Sequence, residues 1–127
     1  LDIDHFKAIN DTYGHDVGDE VLKKMSDVCK TVLRSNDLFA RYGGEEFIAL
    51  LPHTPQENAY LIAERLRQKI EKSPIIVQGH GPIYFTASIG VTLIDYDKYT
   101  FNDAIKQADI ALYVAKSAGR NLVMKAS

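Results

Sequence analysis

Between residues 38 and 51 the chain reads Leu38-Phe39-Ala40, then Arg41-Tyr42-Gly43-Gly44-Glu45-Glu46, then Phe47-Ile48-Ala49-Leu50-Leu51. The two apolar runs have the composition of strands, and a Gly-Gly pair between them marks a hairpin turn because either glycine can take a positive φ. The chain must therefore double back at Gly43-Gly44, which commits it to a paired, antiparallel piece of sheet. Glycines leave the space above a turn empty, so a bulky charged ligand such as a triphosphate could approach the backbone there, beside the carboxylates of Glu45 and Glu46. On these residues alone, an ordinary solvated turn with two exposed glutamates is the competing reading.

Periodicity supplies the other elements. Leu1-Asp2-Ile3-Asp4 alternates apolar and acidic, so a strand there puts Leu1 and Ile3 on one face and the two carboxylates on the other. Such carboxylates are costly unless a cation sits beside them. Asp4 has a structural use as N-cap of a short helix from His5 to Asn10, which leaves Asp2 as the first candidate for metal binding and a solvated edge position as its alternative. From Val17, the positions Val21, Leu22, Met25, Val28, Cys29, Val32 and Leu33 predict an amphipathic helix reaching about Arg34, with Asp16 and Asp19 as a capping pair. Thr54-Pro55-Gln56-Glu57 predicts a capping box with Pro at the first helical position. The helix it opens buries Ala59, Ile62, Ala63, Leu66 and Ile70, stops before Ser73-Pro74 and carries Arg65 and Arg67 as surface charge. Ile75-Ile76-Val77 is a short strand, and the alternation from Ile83 to Leu93 predicts one long strand. Phe101 to Ala115 marks the last helix, ending near Gly119 with the cations Lys116 and Arg120 at the negative end of its dipole, and Leu122-Val123-Met124 closes the chain as a strand. This order implies an α+β fold, a mostly antiparallel central sheet with helices packed on it.

A chain of 127 residues suits one domain with a real core. With a net charge of −2 and 25% charged residues, it lacks the basic footprint of a duplex nucleic acid binder and any polybasic patch for membrane contact, so a nucleotide ligand must be small. The one cysteine, Cys29, falls on an apolar helix stripe and reads as a buried reduced thiol, pointing to a cytoplasmic setting. No apolar run is long enough to span a membrane, and no signal peptide is present. The chain opens inside a strand pattern without an initiator Met, so residues 1–127 read as one domain of a longer protein, which could itself be membrane-anchored.

Leu1-Asp2-Ile3-Asp4-His5-Phe6-Lys7-Ala8-Ile9-Asn10-Asp11, Gly14-His15, Gly18-Asp19, Gly43-Gly44-Glu45-Glu46-Phe47 and Ala115-Lys116 with Gly119-Arg120-Asn121 stand in this order along the chain. Together they resemble the GGDEF domain of diguanylate cyclases, in its GGEEF variant. The resemblance implies a palm-like nucleotidyl cyclase fold and the condensation of two GTP into cyclic di-GMP, a bacterial second messenger, with loss of two pyrophosphates. It implies two Mg²⁺ (or Mn²⁺) ions held by Asp2, Glu45 and the Ile3 carbonyl. Glu45 would also assist deprotonation of the attacking 3′-hydroxyl. Asn10 and Asp19 match the residues that bond guanine, and Lys7, Lys116 and Arg120 match phosphate contacts, with Gly43, Gly44 and Glu46 beside them in the signature. Arg34-x-x-Asp37, five residues before the first glycine, matches the inhibitory site that binds cyclic di-GMP, with Arg65 as its second arginine. Each domain would hold one GTP, so catalysis would require a homodimer.

Glu at the third signature position keeps the carboxylate chemistry, whereas the family's lead-in helix and Asp-x-Leu-Thr stretch are absent. An idle domain that binds GTP or cyclic di-GMP as a regulatory module is the alternative to an active cyclase. The presence of Asp2, Glu45, Lys116 and Arg120 argues against it, because an idle domain has no need of metal ligands.

Overall fold

Asp2–Ile3 (β1) is only two residues long, yet it lies in the middle of the main sheet in a computed structural model that describes all 127 residues. It is followed by α1 (Phe6–Tyr13), α2 (His15–Val32), β2 (Leu38–Gly43), β3 (Glu46–Leu50), α3 (Gln56–Glu71), β4 (Ile75–Val77), β5 (Gly81–Ile83), β6 (Ala87–Val91), α4 (Phe101–Ser117) and β7 (Val123–Lys125). The five-stranded sheet has the order β2-β3-β1-β6-β7, and β4 with β5 forms a separate two-stranded ribbon. Only β6 and β7 run parallel, and α4 supplies the crossover that such a pair requires. This is the mostly antiparallel α+β architecture expected from the order of elements.

Alternation along β6 sorts the helices onto the two faces of the sheet. Ile89 and Val91 join a buried cluster with Val21, Met25 and Cys29 of α2 and Leu66 and Ile70 of α3. The intervening Gly90 faces α4, so closely that a Cβ there would lie 2.2 Å from the Ala108 carbonyl oxygen and 2.7 Å from the Leu112 nitrogen. Cys29 is fully buried, and its desolvation pushes the thiol up to about 12, the inert buried thiol expected from the stripe. No helix is long and apolar enough to cross a membrane.

Several local expectations are corrected. Asp4 does not cap α1: His5, at φ 56°, occupies that position, while the Asp4 carboxylate is taken by Thr86 and Ser88 from a distant part of the chain. Nor does Asp16 cap α2, which begins at His15 directly after Gly14 at φ 94°. The Thr54 capping box does not form; Pro55 is itself the N-cap, and the Thr54 hydroxyl donates to the Pro52 carbonyl at 2.9 Å and accepts from Arg34. In the hairpin, the residues between the strands are Gly44 and Glu45, and of the two glycines only Gly44 has a positive φ, 47°. The long strand from Ile83 to Leu93 is divided at Tyr84–Thr86. Before the break the chain pairs with β4, and after it with β1, the Asp4 amide donating to the Thr86 carbonyl at 2.9 Å.

Replacing Gly90→Ala should destabilise the fold by about 3 kcal/mol, because the new methyl meets helix backbone that cannot swing aside. Urea denaturation followed by far-UV circular dichroism measures the change, and a shift below about 0.5 kcal/mol would contradict this packing.

Candidate active site

Asp2 is 3% exposed, with Glu46 of β3 and Ser88 of β6 as its partners across the sheet. Burial pushes its carboxyl above the ordinary value; Lys116, in the last turn of α4, works against that shift by donating to Oδ2, and the nearby charge of Glu45 adds to it. Glu45 is half-buried in the turn, and its carbonyl accepts from the Ile3 amide at 3.2 Å. The Phe47 amide donates to the Leu1 carbonyl at 2.8 Å, so β1 is zipped onto the base of the hairpin on both sides of the carboxylates. Asp2, Glu45 and Lys116 thus come together from three separate parts of the chain. The Ile3 side chain lies in the core, leaving its carbonyl as the only group that could face a ligand. Above Gly43 and Gly44 nothing lies within 4 Å of where a Cβ would stand, so the turn is open, as its composition predicts.

Asn10 of α1 and Asp19 of α2 belong to helices joined by Gly14 alone. Gly18 lets them meet: a Cβ at that position would fall 1.8 Å from Asn10 Oδ1. That Oδ1 is buried and has no hydrogen-bond partner, a cost of about 1–3 kcal/mol that a ligand donor would remove. Asp19 is exposed beside Gly18, and Lys7 is exposed one turn before Asn10 on α1. Arg120 is exposed just beyond α4, in a left-handed conformation at φ 64°.

Arg34 and Asp37 form a closed ring well away from Asp2 in sequence. Arg34 donates to the Asp37 carboxylate through its backbone amide at 2.7 Å, through Nε at 3.2 Å and through Nη2 at 3.0 Å, and Nη2 also donates to Thr54 Oγ1 at 2.6 Å. Burial would raise the Asp37 carboxyl, but these donors outweigh it and hold the group below the ordinary carboxylate value. Arg65 is exposed on α3, and no bond joins it to this pair.

Sequence reading missed a second polar cluster. Asp4 is buried and accepts from Thr86 at 2.7 Å, from Ser88 at 2.6 Å and from the Asn121 amide at 2.9 Å. Arg67, expected as surface charge, is half-buried and bonded to Glu64 and Asn121. The run Gly119-Arg120-Asn121 held a signal for this, since Gly and Asn are the residues that best tolerate left-handed backbone.

A family model described as "Diguanylate cyclase, GGDEF domain" matches residues 1–122. The chain belongs to the GGDEF family of diguanylate cyclases. Diguanylate cyclase A of Treponema denticola is 45% identical to it over 123 residues, which cover 97% of this chain and 33% of that protein. The GGDEF domain of DgcB from Caulobacter crescentus, solved in complex with c-di-GMP, superposes with a TM-score of 0.92 at 32% identity, covering 98% of this chain and 74% of that one. The active GGEEF domain of a diguanylate cyclase from Vibrio cholerae superposes at 0.87 with 37% identity, covering 99% and 79%. The GGDEF domain spans a third or less of the length of the curated relatives it matches.

No cluster of three or more His, Cys, Asp or Glu side chains converges in this GGDEF domain. A cation beside Asp2 would therefore draw on carboxylate and carbonyl oxygens and on the phosphates of its ligand, an all-oxygen set that suits a hard divalent ion. In metal-free buffer, Lys116→Met should cost about 2 kcal/mol at pH 7, less than a fully buried pair because Lys116 is 32% exposed. The loss should shrink in acid: Asp2 has its folded pKa raised, so the penalty for its charge is present above that pKa and is relieved as pH falls through it. Thermal melts of both proteins at pH 7 and pH 5 check the sign, and a loss that grows in acid would contradict it.

Proposed function

We propose that this GGDEF domain is an active diguanylate cyclase that condenses two GTP molecules into cyclic di-GMP and releases two pyrophosphates. The observation that carries the reading is the meeting of Asp2, Glu45 and Lys116 beside an open glycine turn. Transfer of a nucleotidyl group needs positioning and neutralisation of phosphate charge more than covalent help, and this trio offers both. The relative from Vibrio cholerae, described as active with the same GGEEF signature, supports the reading.

Asp2, Glu45 and the Ile3 carbonyl would hold two Mg²⁺ (or Mn²⁺) ions. When bound, such ions neutralise the triphosphate and acidify the attacking hydroxyl. Glu45 accepts the proton of the 3′-hydroxyl, and Glu46 stands behind it on β3. Lys7, Lys116 and Arg120 bind the phosphates, for which Gly43 and Gly44 leave room. Asn10 and Asp19 read guanine: a turn of the Asn10 side chain away from Gly18 lets its unpartnered Oδ1 accept from the exocyclic amine that adenine lacks at that position, and a purine without it leaves the amide unpaired. Two domains, each with one GTP, face one another in a homodimer, drawing on the cytoplasmic GTP pool. Product inhibition acts through Arg34 and Asp37 with Arg65, the Arg34 fork being suited to a phosphate or a guanine edge. The structure of DgcB with c-di-GMP supports binding of the product by this type of domain.

Incubation of the protein with GTP and Mg²⁺, followed by chromatographic separation, should yield cyclic di-GMP at a rate per domain that rises with protein concentration. Bound nucleotide without turnover would instead establish a regulatory module. Glu45→Gln should lower turnover by at least about a hundredfold while cyclic di-GMP binding persists; retained turnover would remove Glu45 from the reaction.

A further inference from the structure

α4 ends in a left-handed turn that places Arg120 where it is. Gly119 donates to the Lys116 carbonyl at 3.4 Å and Arg120 to the Ala115 carbonyl at 3.0 Å, the paired bonds of a Schellman motif. Three successive residues then have positive φ: Gly119 at 124°, Arg120 at 64° and Asn121 at 51°. Side chains other than Gly and Asn rarely adopt this region, so Arg120 stays there only because its surroundings hold it. The next residue supplies the hold from three directions. Its amide donates to Asp4 Oδ2 at 2.9 Å, its side-chain Nδ2 donates to Glu71 at the end of α3, and its Oδ1 accepts from Arg67 at 3.1 Å. Arg67 is fixed in turn by both oxygens of Glu64, at 3.1 and 3.0 Å. Asp4 is fixed by Thr86 and Ser88, so its oxygens are occupied by protein donors.

We propose that Asn121, tied to Asp4 and Glu71, is a positioning residue that sets the Arg120 guanidinium for the triphosphate of the substrate. This inference rests on reading Arg120 as a phosphate contact. Asp4 lies two residues from Asp2, just past the end of β1, so the tie also fixes the position of the loop that carries Arg120 relative to the carboxylate that faces the phosphates. A network that merely stapled the fold would have no reason to act through Arg120 alone.

A double-mutant cycle separates the two roles. The affinity of the protein for a GTP analogue with a methylene bridge between the α- and β-phosphates is measured by calorimetry with Mg²⁺, and GMP serves as the ligand that keeps the base but lacks the triphosphate. Asn121→Gly preserves left-handed backbone and should weaken the analogue about tenfold while GMP binding changes by less than about twofold. In the Arg120→Ala background the same change should cost less than about twofold. Glu71→Ala, at the end of α3, should act in the same direction by about threefold and carries the test should Asn121→Gly fail to fold. Additive losses in the cycle, or equal weakening of analogue and GMP, would overturn the positioning role. A parent protein that binds the analogue while the variants bind it equally well defeats this inference alone; a parent that does not bind it defeats the proposed function as well.

Discussion

A carboxylate buried at the centre of a sheet sets the terms for the rest of this molecule. Asp2 is desolvated on a strand flanked on both sides, and an unpaired charge there would cost several kcal/mol. Lys116 reaches it because α4 crosses from β6 to β7 and brings its last turn within side-chain reach of β1. The cation thus comes from the helix whose continuation carries Arg120, so the element that makes the buried acid tolerable also delivers the groups suited to phosphate.

The turn that follows β1 repeats this arrangement two residues later. Asp4 is buried as deeply as Asp2, and the segment after α4 answers it too, with the Asn121 amide in place of an ammonium group. The end of α4 and the segment after it are therefore pinned to β1 and to the turn that follows it, at two acids two residues apart. The pins differ in kind. Both oxygens of Asp4 are engaged by hydroxyls and an amide of the chain, whereas Asp2 is held by one lysine on a flexible stem that can exchange its partner. A permanent anchor beside an exchangeable one is what a site needs when it must keep its geometry while its charges are rearranged.

The elements with strong periodicity were legible: α2, α3 and α4 fall where their apolar stripes place them, and the Gly-Gly pair marks the hairpin to within one residue, the turn itself being Gly44-Glu45. What was not legible is contact across long sequence separation. Asp4 looked like a helix cap because Ser, Thr, Asn and Asp before a helix usually are, but its partners are Thr86 and Ser88, 82 and 84 residues away, and no local pattern announces them. The same holds for the run from Ile83 to Leu93, whose perfect alternation is a property of both β5 and β6 and is silent about the change of partner between them. Of the candidate site, Lys116 pairs with Asp2 and the charge of Glu45 lies near enough for Asp2 to feel it, while Arg34 and Asp37 bond to each other and leave Arg65 apart.

Unpaired atoms mark the positions where this fold is incomplete without a ligand. Nearly every buried polar side chain found here has its partner within the chain, including Asp2 and Asp4. Asn10 Oδ1 is the exception, packed where the missing side chain of Gly18 brings the α2 backbone directly against it. On the proposed function, a fold that satisfies a buried aspartate with three donors yet leaves a buried amide oxygen bare a few residues further on keeps that acceptor for a donor on the ligand. The cost of leaving it bare falls on the empty state alone, so it is removed when the right ligand arrives and persists when a ligand without the matching donor takes its place. On that reading, discrimination between purines resides in one side chain of α1, apart from the groups proposed to handle the phosphates.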